Sequence, residues 1–279
     1  MAAIDLEAEY DNRGRVPEHA EIFARMERDA AAYRAASPQA ELGVSYGTSA
    51  RQFVDLFPAK NGAGPAPLAV FIHGGYWRSR DPSSYSHLAA SLNKRGVDVA
   101  IAGYDLCPQV SVGDIVKQLR AACLFLWRRR KQRMLVFGHS AGGHLTACMV
   151  ASDWKKLASD APADLVPSGY AISGVFDLTP LVGLSQNADL RLDEKQAKAV
   201  SPLFWKVPPG RVFDAVVGGA ESNEFRWQSR VVADGWRKGE ARTRYEEIPG
   251  ANHFTVVDPL DDVNSAMVAR LTELAKAIG

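Results

Sequence analysis

A glycine-flanked serine at residues 138–143, with the sequence Gly-His-Ser-Ala-Gly-Gly, constrains the fold of this chain more than any other feature. The apolar run 134–137 precedes it, and the small-residue run 144–149, which is compatible with a helix, follows it. A G-x-S-x-G sequence between a strand and a helix predicts a sharp turn with the serine Oγ exposed at its tip. Only small residues fit on either side, because the turn strains the backbone. We therefore predict that Ser140 is a nucleophile at a helix N-terminus, with a turn that serves packing alone as the alternative.

Strand-like and helix-like segments alternate along the rest of the chain. Apolar or β-branched runs predict strands at 42–46, 51–57, 68–72, 97–102, 134–137, 169–173, 212–217 and 243–248. Helical periodicity predicts helices at 17–36, 84–94, 112–127, 227–238 and 262–278. This alternation predicts an α/β fold, in which a mostly parallel central sheet carries helices on both faces. We predict one domain over residues 1–279, with residues 1–40 and 179–209 as cap or lid elements.

The composition argues against several classes of partner. A formal net charge of +1 gives no basis for binding nucleic acid or an anionic membrane. The basic cluster 128–131 closes a predicted helix, where cations meet the negative end of the helix dipole. No apolar run reaches the roughly 18 residues of a transmembrane segment, and the acidic N-terminus does not resemble a signal peptide. Because the 3 cysteines are widely spaced, we expect a reducing, cytoplasmic location. The expected partner is a small-molecule substrate.

A second glycine-rich motif, His-Gly-Gly-Tyr-Trp at residues 73–77, directly follows the predicted strand 68–72. Acyl transfer develops an oxyanion at the attacked carbonyl, and backbone N–H groups aimed at that oxygen stabilise it. Adjacent glycines allow close approach, because no Cβ obstructs their amides. The predicted donors of this oxyanion hole are the N–H groups of Gly74, Gly75 and Ala141. Tyr76 and Trp77 are candidates for substrate contact, with core packing as the alternative.

The general base follows by elimination. A serine hydroxyl attacks readily only when a histidine takes its proton and an acid holds that histidine. In chains built around a G-x-S-x-G turn the order is serine, acid, histidine. Of the 6 histidines, all but one lie before or beside the turn, namely His19, His73, His87, His139 and His144. His253, in a glycine-containing loop after the last predicted strand, is therefore the predicted base, whereas His139 and His144 are interpreted as packing or hydrogen-bonding residues.

The acid is expected in the loop that follows the predicted strand 212–217. Glu221 is the first choice, because it precedes the next helix, which Ser222 is placed to cap. Glu224 is the main alternative, although a carboxylate there is typical of a first helical turn. Asp177 is a weaker candidate after the preceding strand, and Asp214 lies inside a strand, where it faces the wrong layer.

Several short stretches, spread over nearly the whole chain, carry a resemblance to a known family. They lie at residues 9–13, 16–19, 73–77, 104–108, 138–144, 221–225 and 253–254. In these stretches the chain resembles the hormone-sensitive-lipase-like branch of α/β-hydrolases, and within it the kynurenine formamidase (arylformamidase) family. The His-Gly-Gly-Tyr-Trp motif is the more specific signal, because the serine turn is common to all such relatives.

The resemblance implies an α/β-hydrolase fold and a Ser–acid–His triad that deformylates N-formyl-L-kynurenine in tryptophan breakdown. The familiar acid of that family is aspartate, and here Glu221 stands at the matching position. Residues and resemblance together predict an acyl-enzyme mechanism through Ser140, His253 and Glu221. We expect no cofactor and no metal site, since the chain has no H-E-x-x-H pair.

Three functions stay open on the sequence. The first is an arylformamidase, and the second is a carboxylesterase or amidase acting on short-chain or aryl esters or on another catabolic amide. These two differ only in the shape of the pocket. The third is a non-catalytic relative that binds small molecules or another protein, although such relatives usually lose a member of the triad. The sequence also leaves room for a homodimer.

Overall fold

A sheet of 8 strands forms the centre of the fold. The computed structural model describes residues 4–59 and 66–278. The strands are β1 (Glu41–Ser45), β2 (Phe53–Phe57), β3 (Leu68–Ile72), β4 (Asp98–Ala102), β5 (Met134–His139), β6 (Ser168–Ile172), β7 (Val212–Gly218) and β8 (Arg242–Ile248). Their order in the sheet is β1-β2-β4-β3-β5-β6-β7-β8. The β1–β2 and β2–β4 pairs are antiparallel, and the remaining pairs are parallel.

The central strands β3, β4, β5 and β6 are buried along their whole length. In β3, Val70 and Ile72 enter the core on one face of the sheet, and Phe71 enters the core on the other. A strand covered on both faces needs apolar side chains at successive positions, which is why continuous apolar runs mark these strands in the sequence. The carboxyl ends of parallel strands meet at one edge, so the loops that follow them are neighbours in space.

Helices cover both faces of this sheet. The α-helices are α1 (Leu6–Tyr10), α2 (Asn12–Arg15), α3 (His19–Ala35), α4 (Ala89–Lys94), α5 (Val112–Arg130), α6 (Ala141–Val150), α7 (Trp154–Leu157), α8 (Asn187–Leu190), α9 (Glu194–Ala199), α10 (Asn223–Lys238) and α11 (Ala266–Lys276). Short 3₁₀ helices lie at Pro82–Leu88, Thr179–Gly183, Pro202–Phe204 and Asp258–Asp261. The side chains of α5 join the core on one face, and those of α11 join the core on the other. The predicted α/β class is confirmed.

The predicted strands are confirmed, whereas three predicted helices differ at their starts. The predicted helix 84–94 is a 3₁₀ helix that continues into α4. Helix α10 begins before the predicted start because Ser222 caps it, and α11 begins after the predicted start because Ser265 caps it. In both cases the serine side chain accepts a hydrogen bond from a first-turn N–H, so a cap residue determines where each helix begins.

Two segments outside the sheet contribute side chains to the cavity beside Ser140. We call residues 5–35 and 179–204 the cap, because they fall in the ranges 1–40 and 179–209 for which a cap was predicted; residues 1–3 lie outside the described residues. The Glu7 carboxylate joins the two segments by accepting a hydrogen bond from the N–H of Ser185 at 3.0 Å. Within the described ranges, no helix has the length and apolarity needed to cross a bilayer.

Candidate active site

The serine turn lies where β5 passes into α6. Ser140 has φ 57° and ψ −120°, a conformation that a residue with a side chain adopts only under constraint. Two glycines make the turn sterically feasible. A Cβ on Gly142 would lie 1.9 Å from the carbonyl oxygen of Ile72, and a Cβ on Gly138 would lie 2.4 Å from that of Gly142. The helix can approach the sheet this closely only with glycine at both positions, which is the physical reason for the motif.

The structure brings Ser140, His253 and Glu221 together in one buried cluster. The Nε2 atom of His253 lies 3.0 Å from Oγ of Ser140, and its Nδ1 atom lies 2.6 Å from Oε2 of Glu221. An ionised carboxylate can only accept a hydrogen bond, so Nδ1 of the imidazole carries the proton. Nε2 is then able to accept the proton of the serine hydroxyl. The cluster therefore has the contacts that nucleophilic attack with general-base assistance requires.

The Glu221 carboxylate is held by groups at the ends of two strands of the sheet. The N–H of Gly218, at the end of β7, donates to Oε1 at 2.7 Å. The hydroxyl of Ser173, directly after β6, donates to the same oxygen. Because Oε1 is occupied in this way, Oε2 is directed at the imidazole of His253. Charge-assisted hydrogen bonds of this kind fix the orientation of a carboxylate.

The other carboxylates considered as the acid lie elsewhere. Glu224 accepts a hydrogen bond from the hydroxyl of Tyr10 at 3.2 Å, and burial raises the pKa of Glu224. Asp177 accepts from the backbone of its own loop. Asp214 forms an ion pair with Arg270 of α11 at 2.8 Å. The structure therefore places none of these three against the imidazole that the Glu221 carboxylate contacts.

The residues predicted for the oxyanion hole lie around Ser140. A Cβ on Gly74 would lie 2.9 Å from Cβ of Ser140, so the Gly74 backbone packs directly against that side chain. Gly75 has φ 113° and lines the same cavity as Ser140. Ala141 is the first residue of α6, where the N–H groups of the first turn have no acceptor within the helix. The chain thus offers backbone donors on two sides of the serine.

The two aromatic residues predicted to contact substrate lie in different environments in the structure. Tyr76 lines the cavity, and its hydroxyl donates to the carbonyl oxygen of Tyr10 at 2.6 Å. Trp77 is fully buried in the core instead, where its Nε1 donates to Nδ1 of His144 at 3.2 Å. The expectation for Trp77 is corrected: its indole packs under the site and binds α6, because His144 offers an acceptor there.

Two buried histidines near the turn are neutral. Burial lowers the pKa of His139 to about 3 and that of His144 to about 4. Nε2 of His139 donates to the carbonyl oxygen of His253 at 2.7 Å, and Nε2 of His144 donates to that of Val200 at 2.7 Å. His139 thereby anchors the loop that carries His253, and His144 connects α6 to the cap. Both are the hydrogen-bonding residues that the sequence suggested.

A cavity of about 110 Å³ lies beside Ser140. Its aromatic walls come from distant parts of the chain and consist of Tyr10, Phe23, Tyr76, Tyr85 and Phe254. Sequence reasoning did not assign the cap residues Tyr10 and Phe23 to the site. The stretch 9–13, one of the stretches of family resemblance, was the signal that pointed to this segment. In the described ranges, no group of three or more His, Cys, Asp or Glu side chains is arranged to hold a metal ion.

A strained serine between strand and helix, a histidine and a carboxylate from later loops, and a mostly parallel sheet define the protein as an α/β-hydrolase. The BD-FAE family model matches residues 54–204, just over half of the chain. Kynurenine formamidase of Drosophila melanogaster is 31% identical over 238 residues, which cover 80% of this chain and 79% of that protein. The chain therefore belongs to the BD-FAE family of α/β-hydrolases, and it is a hydrolase that is similar to kynurenine formamidase.

Solved structures agree with this placement. A candidate thioesterase from Silicibacter sp. TM1040 superposes with a TM-score of 0.84 at 32% identity, covering 97% of this chain and 100% of that one. A thermostable carboxylesterase from a metagenomic library has a TM-score of 0.68 at 19% identity, covering 92% and 95% of the two chains. The second likeness shows the fold alone. Both likenesses agree with the α/β-hydrolase fold.

Proposed function

We propose that this enzyme hydrolyses aryl formamides of the N-formyl-L-kynurenine type through a Ser140–His253–Glu221 triad. The observation that carries the proposal is the pair of imidazole contacts, 3.0 Å to the serine oxygen and 2.6 Å to the carboxylate. The similarity to Drosophila kynurenine formamidase over 80% of the chain supports the substrate class. The aromatic lining of the cavity suits a flat aryl group on the substrate.

In the proposed reaction, Oγ of Ser140 attacks the formyl carbon while Nε2 of His253 accepts the hydroxyl proton. The carbonyl oxygen becomes an oxyanion that accepts hydrogen bonds from the N–H groups of Gly74, Gly75 and Ala141. The imidazolium then donates its proton to the departing arylamine nitrogen, which leaves a formyl ester on the serine. A water molecule repeats the cycle, releasing formate and restoring the serine hydroxyl. An arylamine leaves more readily than an alkylamine, because the ring delocalises its lone pair.

The test compares initial rates on N-formyl-L-kynurenine and on p-nitrophenyl acetate, with Ser140→Ala as the control variant. We expect both substrates to be hydrolysed and both activities to disappear in the variant. Ester hydrolysis with a formamide rate equal to that in buffer would overturn the formamidase proposal.

Ester or thioester hydrolysis is the second candidate function. It is favoured by the likeness to the candidate thioesterase from Silicibacter, at 32% identity over 97% of this chain. The same triad would cleave such substrates, since only the leaving group differs. A preference for acyl thioesters over N-formyl-L-kynurenine by more than tenfold in kcat/KM would select this candidate.

A further inference from the structure

Three side chains that line the cavity beside Ser140 each carry a buried polar atom without a partner. The three atoms are Nδ2 of Asn12, Nη2 of Arg80 and Oε1 of Gln186, none of which has a hydrogen-bond partner among the described residues. Buried polar groups are nearly always paired, because an unpaired one forfeits its hydration without compensation. Three such groups on the lining of one cavity are therefore placed to pair with a molecule that enters it.

Arg80 is the only one of the three that carries a charge, and that charge is weakly compensated. Its Nη1 lies 3.5 Å from a carboxylate oxygen of Glu27, a side chain that is 56% exposed. Its guanidinium carbon lies 4.0 Å from the ring centre of Phe23, which supports the cation without neutralising it. By contrast, the nearby Arg78 forms an ion pair with Asp189 at 2.6 Å. The Arg80 guanidinium, on a side chain that is only 14% exposed, therefore has bonding capacity to spare, and the exposed Arg13 is a second cation on the same cavity.

The backbone holds Arg80 in an unfavourable conformation. Its φ is 78°, in the left-handed region that residues with side chains seldom adopt. The Arg51 guanidinium donates to the carbonyl oxygen of Arg80 at 2.7 Å and keeps the turn in place. Strain of this kind persists where the surrounding structure enforces it, and it is concentrated at functional sites. Here it directs a long cationic side chain to the wall of the catalytic cavity.

We propose that Arg80 determines substrate specificity by binding a carboxylate on the part of the substrate that does not react. The guanidinium donates from Nη2 to the carboxylate, and the Asn12 amide is placed to donate to it as well. The Gln186 carbonyl is placed to accept from an ammonium group beside that carboxylate. The substrate class is thus an acylated aryl compound with an amino-acid end. This inference rests on the proposed function only in requiring that the acyl group reacts at Ser140.

The kinetic test uses N-formyl-L-kynurenine and its decarboxylated amine as a matched substrate pair. Arg80→Gln should lower the ratio of their kcat/KM values about 10- to 100-fold, the usual loss for one charged hydrogen bond. The loss should fall mainly on KM for the carboxylate substrate, and Arg80→Lys should recover part of it by restoring the charge. Arg78→Gln is the matched control and should leave the ratio unchanged, because that arginine is already paired with Asp189.

A binding test separates this inference from the formamidase proposal. L-Kynurenine and its decarboxylated amine are compared as competitive inhibitors of p-nitrophenyl acetate hydrolysis, which requires no cleavage of a formamide. We expect L-kynurenine to bind at least tenfold more tightly, and Arg80→Gln to abolish that preference. Equal inhibition by the two compounds in the unmodified enzyme would overturn the inference. So would an unchanged preference in Arg80→Gln, with a melting temperature that shows the variant to be folded.

Discussion

The serine turn and the cap that covers it are held in place by different kinds of contact. In the turn, backbone packs against backbone. A Cβ on Gly142 would lie 1.9 Å from a β3 carbonyl oxygen, so there is no room for a side chain at this position. In the cap, side-chain hydrogen bonds reach distant parts of the chain, as from Tyr10 to Glu224 and from Ser185 to Glu7. Each such bond is worth only about 1 kcal/mol net. Steric exclusion therefore constrains the turn at Ser140, whereas the cap is held by individual hydrogen bonds of small energy.

Glu221 and Glu224 stand at the boundary between these two regions. Although close in sequence, they face different partners: Glu221 contacts His253 at 2.6 Å, and Glu224 contacts Tyr10 of the cap at 3.2 Å. The start of α10 explains the division. Glu221 precedes the Ser222 cap and remains in the loop below β7, whereas Glu224 lies in the first helical turn and faces α1.

The largest expected effect tests that division of labour. Glu221→Gln should lower kcat by about 10³- to 10⁴-fold, because an amide no longer holds the imidazole in the reactive tautomer. Glu224→Gln should lower kcat less than tenfold, since it alters only a cap contact. Steady-state kinetics on the better substrate measure both, and a larger loss in Glu224→Gln would transfer the role of the acid to that residue.

The second effect tests steric exclusion in the turn. Gly142→Ala should lower kcat/KM by about 100-fold or more, since a displacement of about 1 Å in the reacting geometry costs that much. Its melting temperature should fall as well. Gly183→Ala, in the cap, is the matched control, because a Cβ there meets no atom within 4 Å. Equal activity of the two variants would show that the turn is not sterically constrained.

The third effect tests the hydrogen bonds of the cap. Tyr10→Phe removes the donor to Glu224 and the acceptor for Gln228 at 2.9 Å. We expect the free energy of unfolding to fall by about 1–3 kcal/mol and KM to change, because Tyr10 also lines the cavity. Tyr46→Phe is the control: it loses a hydrogen bond to Gly103 at 2.6 Å, away from the cavity, and should affect stability alone. A KM change in Tyr46→Phe and none in Tyr10→Phe would contradict this view of the cap.

The smallest effect concerns pH. Burial lowers the pKa of His73 and His144 to about 4 and that of His139 to about 3. A histidine whose pKa is lower in the folded protein stabilises the fold when the pH is above the pKa it has in the unfolded chain. That stabilisation is lost as the pH falls. Each buried histidine should therefore lower the free energy of unfolding by about 0.4 kcal/mol at pH 6.5 relative to high pH, and by more as the pH falls to about 4.

Glu224 should respond in the opposite direction. Burial raises its pKa, so the protonated form is favoured in the folded protein and its contribution to stability is lost as the pH rises. Denaturant unfolding at pH 7.5, 6.5 and 5.5 measures the combined effect of the histidines and Glu224. The free energy of unfolding should decrease as the pH is lowered. A stability that is flat or increases over this range would show that the histidines are not buried in neutral form.

Much of the site could be predicted from the sequence, because the relevant constraints are local or ordered along the chain. The glycines at 138 and 142 encode the steric requirement of the turn itself. His253 was identified because no other histidine follows the serine at a distance. Glu221 was chosen for its place in the loop after β7, and Ser222 was correctly expected to cap the next helix.

The prediction for Trp77 was incorrect because a motif specifies neighbours in sequence and not the direction of each side chain. Tyr76 and Trp77 both have positive φ values, 50° and 55°, in a turn that directs one ring to the cavity and the other to the core. The sequence of the motif does not indicate which of the two rings faces the cavity. The partner that decides the matter, His144, lies far along the chain on α6.

The sequence alone determined the fold class and predicted the candidate nucleophile, base and acid loop, since these depend on apolar periodicity, on glycines required by local sterics and on order along the chain. Only the tertiary structure decided which carboxylate meets the imidazole, which aromatic rings line the cavity and how Arg80 faces it. Those outcomes depend on segments from both ends of the chain meeting at one edge of the sheet. Tertiary packing brings these segments together, and local sequence patterns do not specify it.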